Sequence, residues 1–144
     1  IYDETGQRGY AMHKGKNLGN NWKEFCNLTT QNQRYELMKS LLENSEKSKG
    51  IFVDLFPTNM ILYKDKISLI DLDSFNSFSF IFNCQRAPYE KFELDAWWKP
   101  FESISRDTDR YYREYFKICL NIELDFKIDS LHNFNKMKQR LMKK

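Results

Sequence analysis

The sequence predicts a mainly helical α+β fold with small β-hairpins. Apolar residues recur at three- and four-residue spacing in several segments, which is typical of amphipathic helices. Short β-branched and apolar runs elsewhere flank a charged turn, as expected for a hairpin. A chain of 144 residues with 41% hydrophobic and 16% aromatic residues can bury a core. We therefore expect residues 1–144 to form a single domain.

The first third of the chain predicts a hairpin followed by two helices. Residues 1–13 contain short apolar runs around a glycine-containing turn, and residues 14–21 have the glycine and asparagine content of a loop. A short helix follows near Trp22. A longer helix is predicted to begin at Thr30, which has capping-box spacing with a glutamine three residues later, and to end before Gly50. Its apolar stripe comprises Tyr35, Leu37, Met38, Leu41 and Leu42.

The middle of the chain predicts a second hairpin and then an irregular segment. Residues 59–64 and 66–73 have the composition of two strands, with Lys64 and Asp65 at the turn between them. Residues 74–92 mix Ser, Asn and Phe without lasting periodicity. This pattern indicates irregular structure with buried aromatic side chains.

Three helices are predicted in the last third of the chain. Helical spacing resumes at 93–105, where Pro100 lies in the first turn or at a kink. A separate amphipathic helix is predicted at 106–123, and a final helix at 128–142. The apolar side of the helix at 106–123 runs through Tyr112, Tyr115, Phe116, Cys119 and Leu120. The final helix has a candidate cap at Asp129 or Ser130 and candidate core residues Leu131, Phe134, Met137 and Leu141.

Charge and cysteine content argue against several classes of partner and site. A net charge of +3 from 23 basic and 20 acidic residues predicts no nucleic-acid partner, and the basic segment 136–144 is typical of a solvated helix end. Three widely spaced cysteines do not have zinc-site spacing and suit a reducing cytoplasm. No apolar run approaches the roughly 20 residues of a membrane span, and no export signal opens the sequence. We expect a cytoplasmic protein without a membrane span.

Four polar residues follow an order that bears on function. Asp54 precedes Asn59 by five residues, and Asn59 precedes Asp71 by twelve, with the predicted hairpin between them. One interpretation is local: Asp54 and Asn59 cap the turn around Pro57, and Asp71 and Asp73 are solvated carboxylates at a strand end. The other is a site that holds a metal ion and a phosphate, because carboxylate and amide oxygens are hard ligands that suit Mg²⁺.

The same stretch resembles the catalytic core of the protein-kinase-like superfamily. D-L-F-P-T-N-M-I-L at 54–62 is similar to the D-L-x-P-x-N-x-x-L loop, and I-D-L-D at 70–73 stands where these proteins have D-F-G or I-D-F-D. G-Y-A-M-H-K-G-K-N-L at 9–18 resembles the last N-lobe strand, the hinge and the G-x-x-L that leads into the C-lobe. A-P-Y-E at 87–90 and E-L-D-A-W-W at 93–98 resemble the A-P-E segment and the opening of the central C-lobe helix.

The resemblance implies a fold and a role for each matching residue. It implies a kinase-like C-lobe at 14–144, as in a divergent kinase or an aminoglycoside- or lipopolysaccharide-kinase-type phosphotransferase, with 1–13 as a remnant N-lobe hairpin and hinge. Asp54 would orient the attacking hydroxyl. Asn59 and Asp71 would bind Mg²⁺ through hard oxygen atoms. The remaining implied residues are Asp73 as a further metal or water ligand, Asp95 as a support of the loop, and Ala11, Met12 and His13 as the hinge that binds ATP.

Departures from the family pattern favour a divergent member. Phe52 stands where many kinases have His, Val53 where Arg or Gly is usual, and Phe56 where protein kinases have Lys. No Gly-rich loop and no strand lysine precede the hinge-like segment, because the first lysine is Lys14.

The implied function is transfer of the γ-phosphoryl group of ATP, with Mg²⁺, to a hydroxyl-bearing small molecule or protein. The alternatives are an inactive pseudokinase acting as a binding module, and the C-lobe piece of a larger kinase. A second copy or a partner chain would then cover the edge left by a reduced N-lobe.

Overall fold

The computed structural model describes residues 15–70, 75–86 and 99–143. Within these ranges the chain is mainly helical and carries two small antiparallel sheets, which confirms the predicted α+β class. The elements are β1 (Lys16–Asn17), α1 (Trp22–Leu28), α2 (Gln31–Ser48), β2 (Gly50–Phe52), a 3₁₀ turn (Pro57–Asn59), β3 (Met60–Tyr63), β4 (Lys66–Leu69), β5 (Phe75–Ser77), α3 (Phe78–Arg86), α4 (Lys99–Glu114), a π-helical turn (Tyr115–Cys119) and α5 (Leu131–Met142). The predicted hairpin at 1–13 lies outside the described residues.

Helix α2 begins where its sequence predicts. The Thr30 hydroxyl accepts a hydrogen bond from the Gln33 amide at 3.1 Å, and the Gln33 side chain accepts one from the Thr30 amide at 2.8 Å. These reciprocal bonds form a capping box. The helix ends at Lys49, whose φ of 56° turns the chain into β2 at Gly50.

The three-stranded sheet has the order β1-β3-β4, and β2 pairs separately with β5. Lys64 and Asp65 join β3 to β4 with φ values of 51° and 64°, which is the left-handed geometry of a two-residue hairpin turn. This hairpin agrees with the prediction. Strand β1 lies in the segment predicted as a loop, and it pairs with β3 through Asn17 opposite Ile61.

The segment predicted as irregular contains regular structure over its described part. Residues 75–77 form β5, which pairs antiparallel with β2, and Phe78–Arg86 form α3. The prediction of irregular structure is therefore wrong for residues 75–86. The alternation of Ser and Phe obscured the helical period. The fold selects a helix because Ile81 and Phe82 pack into the core and the Ser105 hydroxyl of α4 donates to the Ile81 carbonyl at 2.7 Å.

The two helices predicted at 93–105 and 106–123 are one continuous element over the described residues. Helix α4 runs from Lys99 to Glu114 and passes directly into the π-helical turn. The polar run near residue 106 does not interrupt the helix, because Thr108 and Asp109 are buried with satisfied side chains. Pro100 lies in the first turn of the described part of this helix.

The core gathers one face from each helix and the inner strands. Tyr112, Tyr115 and Phe116 are buried as predicted. Helix α5 starts at the predicted cap Ser130, but Leu131 is 53% exposed and does not belong to the core. Within the described ranges, no helix combines the length and the apolar character needed to cross a membrane.

Candidate functional site

The loop between β2 and β3 places Asn59 against the backbone of Asp54. The Asp54 carbonyl accepts the Phe56 amide at 2.8 Å and the Asn59 side-chain Nδ2 at 3.0 Å. The Asn59 amide donates to the Phe56 carbonyl at 2.9 Å, which closes the 3₁₀ turn that begins at Pro57. Two of the predicted site residues are thereby held together by short-range hydrogen bonds.

The orientation of the Asn59 amide group determines what this residue can bind. Its Nδ2 is committed as a donor to the Asp54 carbonyl, so Oδ1 is the atom that the side chain can offer to a cation. The bond from Asn59 Nδ2 to the Asp54 carbonyl also closes the turn around Pro57, as the local interpretation predicts. The two roles are compatible, because the amide group of Asn59 has a donor, Nδ2, and a separate acceptor, Oδ1. The Asp54 side chain is exposed at the surface of the same loop.

The β3–β4 hairpin brings the chain back to this loop. Met60 pairs with Leu69 at the base of the hairpin, and the Ile70 amide donates to the Asn59 carbonyl at 3.0 Å. The residues before and after the hairpin are therefore neighbours, although ten residues separate Asn59 from Ile70 in sequence. This local fold is the hairpin that the two apolar runs around Lys64 and Asp65 predict.

Asp71 and Asp73, the other predicted metal ligands, lie outside the described residues. The described chain on either side of them is hydrogen-bonded to neighbouring parts of the fold. On one side the Ile70 amide donates to the Asn59 carbonyl of the loop, and on the other side β5 pairs Phe75 with Phe52, the last residue of β2. One flank is thus tied to the loop that carries the first two site residues, and the other to the strand that leads into this loop.

A buried tyrosine supports this loop from the helical side. The Tyr112 hydroxyl of α4 donates to the Phe52 carbonyl at 3.0 Å, and the Tyr112 side chain is fully buried. Burial raises the pKa of Tyr112 above its ordinary value, so the phenol remains a hydrogen-bond donor. The bond joins helix α4 to the end of β2.

Two aromatic rings contact Phe56, the loop residue that the kinase resemblance aligns with a lysine. Its ring lies 5.5 Å from that of Trp22 and 5.4 Å from that of Tyr111, measured between centroids. Trp22 also donates through Nε1 to the Glu114 carboxylate at 3.4 Å. Because these contacts join α1 and α4 to the loop, Phe56 anchors the loop by packing. A phenylalanine supplies no positive charge at this position, unlike the lysine with which the resemblance aligns it.

The hinge-like segment is described only at its end. Ala11, Met12 and His13, the predicted ATP-binding residues, lie outside the described residues. Gly15 lies against β3, where an added Cβ would meet Ile61 Cδ1 at 2.5 Å, so a larger residue at this position would displace the Ile61 side chain. The leucine of the G-x-x-L match, three residues later, is buried in the core.

Two further parts of the predicted site lie outside the described residues. They are Asp95, predicted to support the loop, and the segment 87–90.

Tyr112 has a role that the sequence did not suggest. It was expected only to pack a helix face, and its bond to Phe52 was not predicted. The available signal was general: a buried tyrosine usually finds a hydrogen-bond partner for its hydroxyl. Its partner is 60 residues away and could not be named from the sequence.

In the part of the chain that the structure describes, no group of three or more His, Cys, Asp or Glu side chains is arranged to hold a metal ion. The candidate ligand set differs from such a group, because it combines the Asn59 amide with two carboxylates outside those ranges. Comparison of the chain with protein-family models, curated proteins and solved structures gives no match.

Proposed function

We propose that the protein is a divergent kinase-like phosphotransferase that moves the γ-phosphoryl group of ATP to a hydroxyl acceptor. The observation that carries the proposal is the hydrogen bonding of Asn59. Its side chain is fixed to the Asp54 carbonyl, and its own carbonyl is fixed to the Ile70 amide, immediately before Asp71. These bonds support a site in which Asp54, Asn59 and Asp71 act on one phosphate group.

The proposed chemistry assigns a separate task to each residue. The Asp54 carboxylate accepts the proton of the attacking hydroxyl while a bond forms between the acceptor oxygen and the γ-phosphorus. The bond from that phosphorus to the β,γ-bridging oxygen breaks, and ADP leaves with the electron pair. Asn59 through Oδ1, with Asp71 and Asp73 through carboxylates, would hold Mg²⁺. The bound ion supplies neutralisation of phosphate charge.

The packing around the loop suits a reaction that depends on positioning. Phosphoryl transfer requires the nucleophile and the leaving group to lie in line, and small displacements of the aligned groups are costly. The Tyr112 bond to Phe52 and the ring contacts of Phe56 hold both sides of Asp54. The loop backbone is therefore braced by α1 and α4, independently of any ligand.

The proposal is tested by calorimetric titration of the chain with ADP and ATP, with Mg²⁺ present and with Mg²⁺ chelated. We expect binding that depends on Mg²⁺ and that loses this dependence in Asp71→Asn. The matched control is Asp65→Asn, which removes one carboxylate from the turn at the opposite end of the hairpin. Asparagine tolerates the φ of 64° at that position, so this variant should fold and bind normally.

The outcomes distinguish the enzyme from the binding module. Loss of Mg²⁺ dependence in Asp71→Asn, with wild-type behaviour in Asp65→Asn, supports the phosphotransferase. A folded chain that binds no nucleotide at millimolar concentration rejects it and favours a kinase-fold module that works through a partner surface. Equal loss in both variants would mean that overall charge, rather than a metal ligand at Asp71, controls binding.

A further inference from the structure

Two cysteines that are distant in sequence meet where α1 packs on the π-helical turn. Cys26 and Cys119 are separated by 93 residues, yet their Sγ atoms lie 3.8 Å apart. Both are free thiols in this structure. A contact of this kind does not arise from local chain geometry, so the tertiary fold alone brings the two sulfur atoms together.

A single arginine fixes the backbone on both sides of the sulfur pair. Arg34 donates through Nη1 to the Cys26 carbonyl at 3.2 Å and through Nε to the Cys119 carbonyl at 3.0 Å. A disulfide needs an S–S distance of about 2.0 Å, which side-chain rotation can approach from 3.8 Å when the backbones are already close. The site is therefore prearranged for a bond between these two residues.

The two thiols differ in how easily an oxidant reaches them. Cys26 is half-buried, whereas Cys119 is only 2% exposed. Burial, followed by the proximity of Cys26, raises the pKa of the Cys119 thiol above its ordinary value. An external oxidant therefore meets the Cys26 sulfur first, and Cys119 is the residue in position to complete the bond.

We propose that Cys26 and Cys119 form a reversible disulfide that locks helix α1 to the end of the π-helical turn. With glutathione disulfide as oxidant, the Cys26 thiolate attacks one glutathione sulfur and releases the first glutathione, which takes up a proton. The Cys119 sulfur then loses its proton and attacks Cys26 in the mixed disulfide, releasing the second glutathione. In total, the two protein thiols lose two electrons and two protons, and one glutathione disulfide takes them up and becomes two glutathione thiols.

The cross-link would restrain the part of the fold that supports the candidate loop. Trp22 at the start of α1 contacts both Phe56 and Tyr115, with ring centroids 5.5 Å apart in each case. Fixing α1 to the π-helical turn would therefore limit separation of these rings. The disulfide itself does not depend on the proposed phosphotransfer, because none of its atoms belongs to that site.

The test uses the full chain equilibrated with glutathione disulfide and digested with trypsin without reduction. Cleavage at Lys and Arg places Cys26 in peptide 24–34, Cys119 in peptide 118–127 and Cys84 in peptide 67–86. We expect mass spectrometry to find 24–34 joined to 118–127. The closed loop should also raise the melting temperature by about 5–10 °C, and dithiothreitol should reverse the shift.

Two variants make the result specific. Cys84→Ser removes the third cysteine and should retain both the cross-linked peptide and the thermal shift. Cys26→Ser should lose both, and its half-buried position makes it a milder change than substitution of the buried Cys119. Cross-links confined to Cys84 would overturn the proposal. A Cys26–glutathione adduct that persists while Cys119 stays reduced would overturn it as well.

Discussion

The hydrogen bond from Tyr112 to the Phe52 carbonyl can be tested for two separate effects, one on the free energy of unfolding and one on the geometry of the candidate site. Tyr112→Phe removes one hydroxyl from a fully buried side chain and leaves the ring in place. A buried hydrogen bond contributes about 1 kcal/mol net, and a desolvated carbonyl that loses a donor adds to the cost. We expect the free energy of unfolding to fall by about 1–2 kcal/mol, measured by urea denaturation.

Tyr115→Phe is the matched control. Its hydroxyl donates to the Arg34 carbonyl at 2.7 Å, and its side chain is equally buried, but the acceptor lies in α2 rather than beside Asp54. Both variants should therefore lose similar stability. Only Tyr112→Phe should also weaken Mg²⁺-nucleotide binding, because only its partner belongs to the strand that leads into the candidate loop.

The size of that effect follows from the energy of the bond. If about 1 kcal/mol of the lost energy had held the loop in its binding shape, Kd should rise roughly fivefold. Calorimetric titration of both variants measures this change. Equal nucleotide affinity in the two variants would refute the positioning role of Tyr112. An unchanged free energy of unfolding in Tyr112→Phe would refute the hydrogen bond itself.

Two further predictions concern the C-terminal part of the fold. Asp109 is 4% exposed, and its carboxylate accepts a hydrogen bond from the Ile128 amide at 2.7 Å and two from Arg113. Asp109→Ala should therefore lower the free energy of unfolding, measured by urea denaturation, by about 2–3 kcal/mol. A loss below about 1 kcal/mol would contradict this prediction. The pKa of Asp125 lies below its ordinary value, because its backbone amide and then Arg140 bond the carboxylate. Because the pKa is depressed in the folded state, the charged carboxylate adds stability above its ordinary pKa of 3.8, and this stability is lost as the pH falls through the folded-state pKa. The melting temperature of the wild type should therefore exceed that of Asp125→Asn at neutral pH, and the two should converge in acid. A difference that stays constant with pH would contradict this prediction.

Local signals explain the elements that the sequence predicted well. Thr30 and the glutamine three residues later specify a capping box between neighbouring residues, and the structure contains it. Lys64 and Asp65 lie between two apolar runs, and the hairpin turn forms there. Such signals act over a few residues, so their outcome depends little on the rest of the fold.

The sequence-based predictions were wrong in segments whose structure depends on packing against distant parts of the chain. Residues 75–86 have no clear periodicity, and their structure follows from pairing with β2 and burial against α4. The polar residues near 106 suggested a break, but Asp109 is buried because Arg113 and the Ile128 amide satisfy its carboxylate. Leu131 fits the apolar stripe of α5, yet it falls on the exposed side of the first turn.

The sequence by itself determined the mainly helical class, the major caps, the hairpin and the order Asp54, Asn59, Asp71 that motivates the phosphotransferase proposal. The tertiary structure decided which distant groups meet. The bond from Tyr112 to Phe52 crosses 60 residues, and the contact of Cys26 with Cys119 crosses 93. The physical reason is that propensity and capping are local free energies, whereas a contact across the chain exists only after the core has brought both partners together.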